Sequence, residues 1–185
     1  IPTIVPSGNY GPNPESIRIP GILENVLTVG SVEENNQITL FSGRGDPDSA
    51  NPKPDIVLPG TNIIGAKSLF GKIGEDYKGY SGYIIFTGSS LSAAIAGGMM
   101  AILKEAFPNL SARELIDLLR NKENCYTIPN IPHYIQGNGI PQIKEILKQR
   151  RKFYEKPFPF KYLVSDSILT GCLGILLLLM LYFLL

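Results

Sequence analysis

The strongest constraint on this chain is a serine at the head of a helix built from small residues. Phe86-Thr87-Gly88-Ser89-Ser90-Leu91-Ser92-Ala93-Ala94-Ile95-Ala96-Gly97 passes from a glycine turn directly into Ala- and Gly-rich helical sequence. A helix with so little side-chain bulk packs closely against neighbouring backbone. Its first turn carries N–H groups without intrahelical acceptors and the positive end of the helix dipole, so negative charge on an oxygen beside Ser90 is favoured there. Serine is also an ordinary helix cap. This segment alone therefore leaves both a structural serine and a nucleophile open.

Four further segments narrow the choice. Ile1-Pro2-Thr3-Ile4-Val5-Pro6-Ser7-Gly8-Asn9-Tyr10-Gly11 reads as a buried strand ending in a Gly-Asn-x-Gly turn, which presents one side-chain amide at the strand's C-terminal end. Asn25-Val26-Leu27-Thr28-Val29-Gly30-Ser31-Val32 reads as a second buried strand, and Phe41-Ser42-Gly43-Arg44-Gly45 as a turn. Lys53-Pro54-Asp55-Ile56-Val57-Leu58-Pro59-Gly60 is a short apolar strand stopped by Pro-Gly.

In this order the pieces resemble the subtilisin-like serine proteases, the subtilases. That family shows a Gly-Asn turn, a Val-x-x-Val-Gly-x-Val strand, a Phe-Ser-x-x-Gly turn, a Pro-Asp-x-x-x-Pro-Gly strand and a Gly-Thr-Ser helix start. The likeness continues through Pro108 to Leu119, where Ser111 and Glu114 form a capping box and Leu115, Leu118 and Leu119 an apolar stripe. It ends with Gly137-Asn138-Gly139-Ile140-Pro141 and a short helix from Gln142 to Leu147. The resemblance implies an α/β fold: a parallel sheet flanked by helices, of which residues 1–147 are the C-terminal part of the catalytic domain.

Residue by residue, the resemblance implies Ser90 as the acyl-forming nucleophile and Asn9 as the side-chain oxyanion donor, with the Ser90 N–H as the second donor. Such donors act on the charge that appears in the tetrahedral intermediate. It further implies that Val5, Pro6, Ser7 and Gly8, with a short segment around Arg18, line the pocket for the residue before the cleaved bond. An arginine there favours an acidic or polar side chain. The chain departs from the family pattern at Ser89, where Thr is usual, and at Ala94 and Ile95, where Pro and often His stand. The loss of Pro at Ala94 removes a residue that pre-sets helical backbone.

A serine hydroxyl needs a general base, and the family orders its triad Asp, His, Ser. The single histidine, His133, follows Ser90, so it does not fit the base. The catalytic Asp and His are expected upstream of Ile1, and residues 1–147 alone are expected to fold poorly. The implied function is a serine endopeptidase acting on peptide or protein substrates; the alternative is a non-catalytic subtilase-like domain that binds a peptide or protein partner. No cofactor and no metal site is expected, since Asp46, Asp48 and Glu75 are scattered. Arg44-Gly45-Asp46 reads as turn chemistry rather than an adhesion motif.

Composition supplies the last element. A chain of 185 residues, 44% hydrophobic and 18% charged, holds one domain core and an apolar excess. Ser167 to Leu185 contains no charge. At about 1.5 Å rise per residue it reaches roughly 28 Å, close to the thickness of a bilayer's hydrocarbon core. A transmembrane helix is expected over 164–185, preceded by a basic juxtamembrane linker over 148–163. Lys144 to Lys161 carries seven basic residues against Glu145 and Glu155, which leaves the remainder acidic in a chain of net charge +1. That pattern fits anionic lipid headgroups better than nucleic acid. The basic flank points by the positive-inside rule to a cytoplasmic domain, whereas the resemblance implies export; a single-pass protein with an extracytoplasmic domain is the expectation. Cys125 and Cys172 form no disulfide framework.

Overall fold

Three short strands form a parallel sheet at the centre of the computed structural model, which describes residues 1–68, 75–77 and 82–150. They are β1 (Ile4–Pro6), β2 (Leu27–Val32) and β3 (Ile56–Pro59), ordered β1-β2-β3. Ile4 pairs with Leu27 and Val29 with Ile56, both in parallel register. All six β2 residues are buried. A central parallel strand is covered on both faces, which is why Leu27-Thr28-Val29-Gly30-Ser31-Val32 does not alternate apolar with exposed polar residues.

Asp55, just before β3, ties the strand starts together. Its Oδ2 accepts from the Thr28 N–H of β2 at 2.7 Å and from Lys53 Nζ at 2.7 Å. Lys53 Nζ also donates to the Val26 carbonyl at 3.0 Å. A lysine this buried is tolerable because its charge is paired and hydrogen-bonded.

After β3 the chain forms an antiparallel sheet that the sequence patterns do not announce: β4 (Ile63–Ala66), β5 (Glu75–Asp76) and β6 (Tyr83–Phe86), in the order β4-β6-β5. Ile63-Ile64 and Ile84-Ile85 are runs without clear alternation, so periodicity alone does not identify half-buried strands there. The sheet leads directly into α1 (Ser89–Ala106).

Helix α1 lies against the parallel sheet. Ser92, Ala96, Met100, Leu103 and Ala106 are buried at three- and four-residue intervals, the spacing of one helical face. Ser92 Oγ donates to the Leu58 and Pro59 carbonyls at 2.9 and 3.1 Å, pinning the first turns to the end of β3. Helix α2 (Ala112–Arg120) begins with the expected capping box between Ser111 and Glu114. Hydrogen bonds with Ser111, side chain first and then backbone, hold the Glu114 carboxyl below its ordinary value.

The C-terminal part comprises β7 (Cys125–Tyr126), α3 (His133–Gln136), β8 (Ile140–Pro141) and α4 (Ile143–Lys148). Its Gly-Asn-Gly turn docks on β3 through Asn138 N–H to the Asp55 carbonyl (2.9 Å) and Val57 N–H to the Gly139 carbonyl (3.0 Å). Residues Ile1–Arg150 make one compact unit. Among the described residues no helix is long and apolar enough to cross a membrane; the helix expected over 164–185 and the linker beyond Arg150 lie outside the described residues.

Candidate active site

The site is built where two segments eighty residues apart meet at the C-terminal ends of the parallel strands. After β1 the chain turns through Ser7-Gly8-Asn9; after β6 it turns through Thr87 and Gly88 into α1. Gly88 N–H donates to the Gly60 carbonyl at 2.7 Å, and Asn62 N–H donates to Thr87 Oγ1 at 3.1 Å. These bonds fix the helix start on the Pro59-Gly60 corner. Gly88 holds a φ of 153°, a conformation that residues with a Cβ rarely adopt.

Asn9 reaches across to that helix start. Its Oδ1 accepts from the Ser89 backbone N–H at 3.0 Å and from the Ser89 hydroxyl at 2.9 Å. A backbone N–H can only donate, so the contacting atom must be the carboxamide oxygen. The oxygen is thus engaged twice, and Nδ2 is left as a donor beside Gly88. Ser90 follows in the first turn of α1 and is exposed. Its own N–H belongs to the first-turn set that lacks intrahelical acceptors.

The arrangement offers an accessible hydroxyl, a helix N-terminus and an anchored amide, which together suit an oxygen that acquires negative charge. Ser89, which in the sequence is only a replacement that keeps a hydroxyl, proves to hold Asn9. Its place between Gly88 and Ser90 is visible in the sequence; its direction is not.

Among the expected pocket residues, Val5 and Ser7 are buried and Pro6 is exposed. Val5 and Ser7 therefore face inward and offer a ligand chiefly backbone. Gly8 is half-buried. Arg18 is exposed, and its guanidinium lies 4.3 Å from the centre of the Tyr10 ring, within cation–π range. Tyr10 directly follows Asn9, so the stacked pair flanks the Gly8-Asn9 turn.

His133 sits elsewhere. Its Nε2 is 3.1 Å from Asn138 Oδ1, and the Asn138 N–H is bonded to the Asp55 carbonyl at the start of β3, whereas Ser90 stands beyond its end. The same end of the sheet holds an open cleft of about 720 Å³ lined by Asn25, Lys53, Asp55, Arg113, Arg120 and His133 among others. That cleft is not at the serine. Among the described residues no group of three or more His, Cys, Asp or Glu side chains could hold a metal ion. Asp46 Oδ1 is occupied by the Asp48 N–H at 2.8 Å.

Comparison with known proteins agrees with this geometry. The family model described as the Subtilase family, peptidase S8, matches residues 3–139. Serine protease AprX of Bacillus subtilis (strain 168) is 34% identical over 127 residues, covering 63% of this chain and 29% of AprX. The fold is similar to that of the prenylagaramide maturation protease PagA, with a TM-score of 0.61 at 20% identity over 80% of this chain and 50% of that one. It is also similar to the CspB protease of Clostridium perfringens, with a TM-score of 0.57 at 26% identity over 74% of this chain and 29% of that one. The chain thus spans half or less of the length of these proteins. With the family match running from Thr3 to Gly139, across the sheet, the Asn9 turn and the Ser90 helix, the chain belongs to the subtilase family.

Proposed function

We propose that residues 1–147 are the nucleophile and oxyanion half of a serine endopeptidase that cleaves peptide bonds through an acyl-enzyme. The observation that carries this reading is the double anchoring of Asn9 Oδ1 by Ser89, which leaves Nδ2 as a donor beside Gly88, two residues before Ser90 in the chain. In this mechanism a general base removes the Ser90 hydroxyl proton while Oγ attacks the peptide carbonyl. The carbonyl oxygen gains charge at Asn9 Nδ2 and the Ser90 N–H, and the leaving amine receives the proton from the base. The base and its orienting carboxylate come from sequence outside these 185 residues. The limited share of AprX that the chain covers and the position of His133 away from Ser90 support that assignment.

Peptide or protein substrates follow from the reaction. The proposal includes a preference for an acidic side chain before the cleaved bond, supported by the Arg18 guanidinium stacked on Tyr10 beside the oxyanion turn. It also includes single-pass anchoring through 164–185 with the protease domain extracytoplasmic, supported by the uncharged run from Ser167 and the basic flank before it.

Hydrolysis of a fluorogenic peptide panel by the full-length membrane protein tests the reading. Cleavage that Ser90→Ala abolishes, with Glu or Asp favoured before the bond, is the expected result. Cleavage that persists in Ser90→Ala contradicts the nucleophile assignment. A preference for large apolar residues at that position contradicts the role of Arg18.

A further inference from the structure

A segment distant in sequence holds the loop that carries Asn9. Gly43 N–H donates to the Gly8 carbonyl at 3.0 Å, and Gly11 N–H donates to the Phe41 carbonyl at 2.9 Å. These two bonds bracket Asn9. The ladder continues with Arg44 N–H to Ser16 Oγ (2.9 Å), Ser16 N–H to the Arg44 carbonyl (2.9 Å) and Glu15 N–H to the Gly45 carbonyl (3.0 Å). Contact is close throughout. A Cβ on Gly43 would collide with the Ser7 carbonyl oxygen, and one on Gly11 would collide with that of Ser42.

Ser42 connects this turn to the sheet. It is fully buried, and its Oγ accepts from the Ser31 N–H of β2 at 2.9 Å. The same oxygen lies 3.4 Å from Ser7 Oγ, two residues before Asn9. Thr39 secures the turn's entry, with its N–H and its hydroxyl both bonded to the Ser31 carbonyl at 3.1 and 3.2 Å.

We infer that the Phe41–Gly45 turn is the seat of the oxyanion loop, and that Ser42 is a positioning residue for Asn9. The inference rests on Asn9 being the oxyanion donor. Ser42 touches no reacting atom; it fixes the turn against β2, and the turn fixes Gly8 and Gly11 on either side of Asn9. Donors contribute to turnover only when aimed at the transition-state oxygen. Loosening the seat therefore lowers kcat while KM stays near its original value.

The test combines two readouts on the full-length protein. By hydrogen exchange, Ser42→Ala is expected to lose protection at the Gly11 and Gly43 amides by at least about tenfold while the β3 amides and the β2 amides other than Ser31, which loses its own acceptor, hold. By kinetics, it is expected to lower kcat about tenfold, a fraction of the roughly 10² to 10³ lost with the donor itself. Added to Asn9→Ala, the same substitution is expected to cost less than about twofold, because the group it positions is gone. Ser42→Cys, which keeps size and a weak acceptor, is expected to fall between the two and serves where Ser42→Ala folds poorly. Unchanged protection at Gly11 and Gly43 overturns the inference whatever the activity. An equal loss with and without Asn9 overturns the link to the oxyanion donor. An inactive wild-type protein contradicts the protease reading instead, and exchange alone then decides whether Ser42 seats the loop.

Discussion

The Ser89 hydroxyl and the Ser89 backbone N–H both donate to the Oδ1 of Asn9, at 2.9 and 3.0 Å, across eighty residues of sequence. One residue thus fixes both the position and the orientation of the amide beside Ser90. Asn9→Ala removes the donor and is expected to lower kcat by about 10² to 10³, the range known for the corresponding donor of subtilisin, a member of the same family. Ser89→Ala keeps the backbone N–H and is expected to cost only about tenfold, a fraction of the loss on removing the donor. Steady-state kinetics on both variants checks the ranking, and an Asn9→Ala enzyme with unchanged kcat contradicts it.

Gly60 packs against the start of α1, the helix that carries Ser90. A Cβ there would collide with Ser31 Oγ and Ser92 Oγ and sit 3.0 Å from the Gly88 carbonyl oxygen. Side-chain atoms cannot occupy that space without moving the start of α1, and core overpacking typically costs about 1–3 kcal/mol. Gly60→Ala is expected to lower turnover at Ser90 by more than tenfold in protein that still melts cooperatively. Kinetics and a thermal melt on the same sample check this.

Asp55 is a stability residue at the opposite end of the sheet. Asp55→Ala strands the Lys53 ammonium, whose side chain is 10% exposed, and frees the Thr28 N–H. Breaking one partner of a buried pair costs about 3–5 kcal/mol. Denaturant unfolding is expected to show that loss with little change in slope, and a shift under about 1 kcal/mol argues against the role.

Burial pushes the Cys125 thiol up to about 12 from its ordinary 9.0. The folded state therefore favours the protonated thiol. Its contribution to stability is complete below pH 9.0 and declines as pH rises toward about 12. Alkylation of Cys125 is expected to be slow at about pH 8 in folded protein and fast after unfolding, because the thiolate is the reactive form. Mass spectrometry of trapped peptides checks this.

The parallel strands were legible in the sequence because Val26 to Val32 and Ile56 to Leu58 are uninterrupted apolar or small runs bounded by turn residues, the signature of strands covered on both sides. The Ser111–Glu114 cap was equally local and equally legible. The antiparallel β4-β6-β5 sheet was not, since its pairing depends on which distant edges meet. The candidate site divides the same way. Gly88-Ser89-Ser90 and Gly8-Asn9 are local patterns and could be picked out, but the bond from Ser89 to Asn9 and the seat under Gly8 and Gly11 are contacts between remote segments. Arg18 shows the limit most clearly: the family resemblance implies a pocket role for it, while its stacking on Tyr10 depends on the path of the intervening loop.

The central claim is that Ser90 is an activated nucleophile. Treating the full-length protein with a fluorophosphonate probe, alongside Ser90→Ala, tests it most directly. The predicted result is a covalent adduct mapped to Ser90 and absent from the variant. A folded wild-type protein that takes up no probe, or one labelled equally in Ser90→Ala, would contradict the claim.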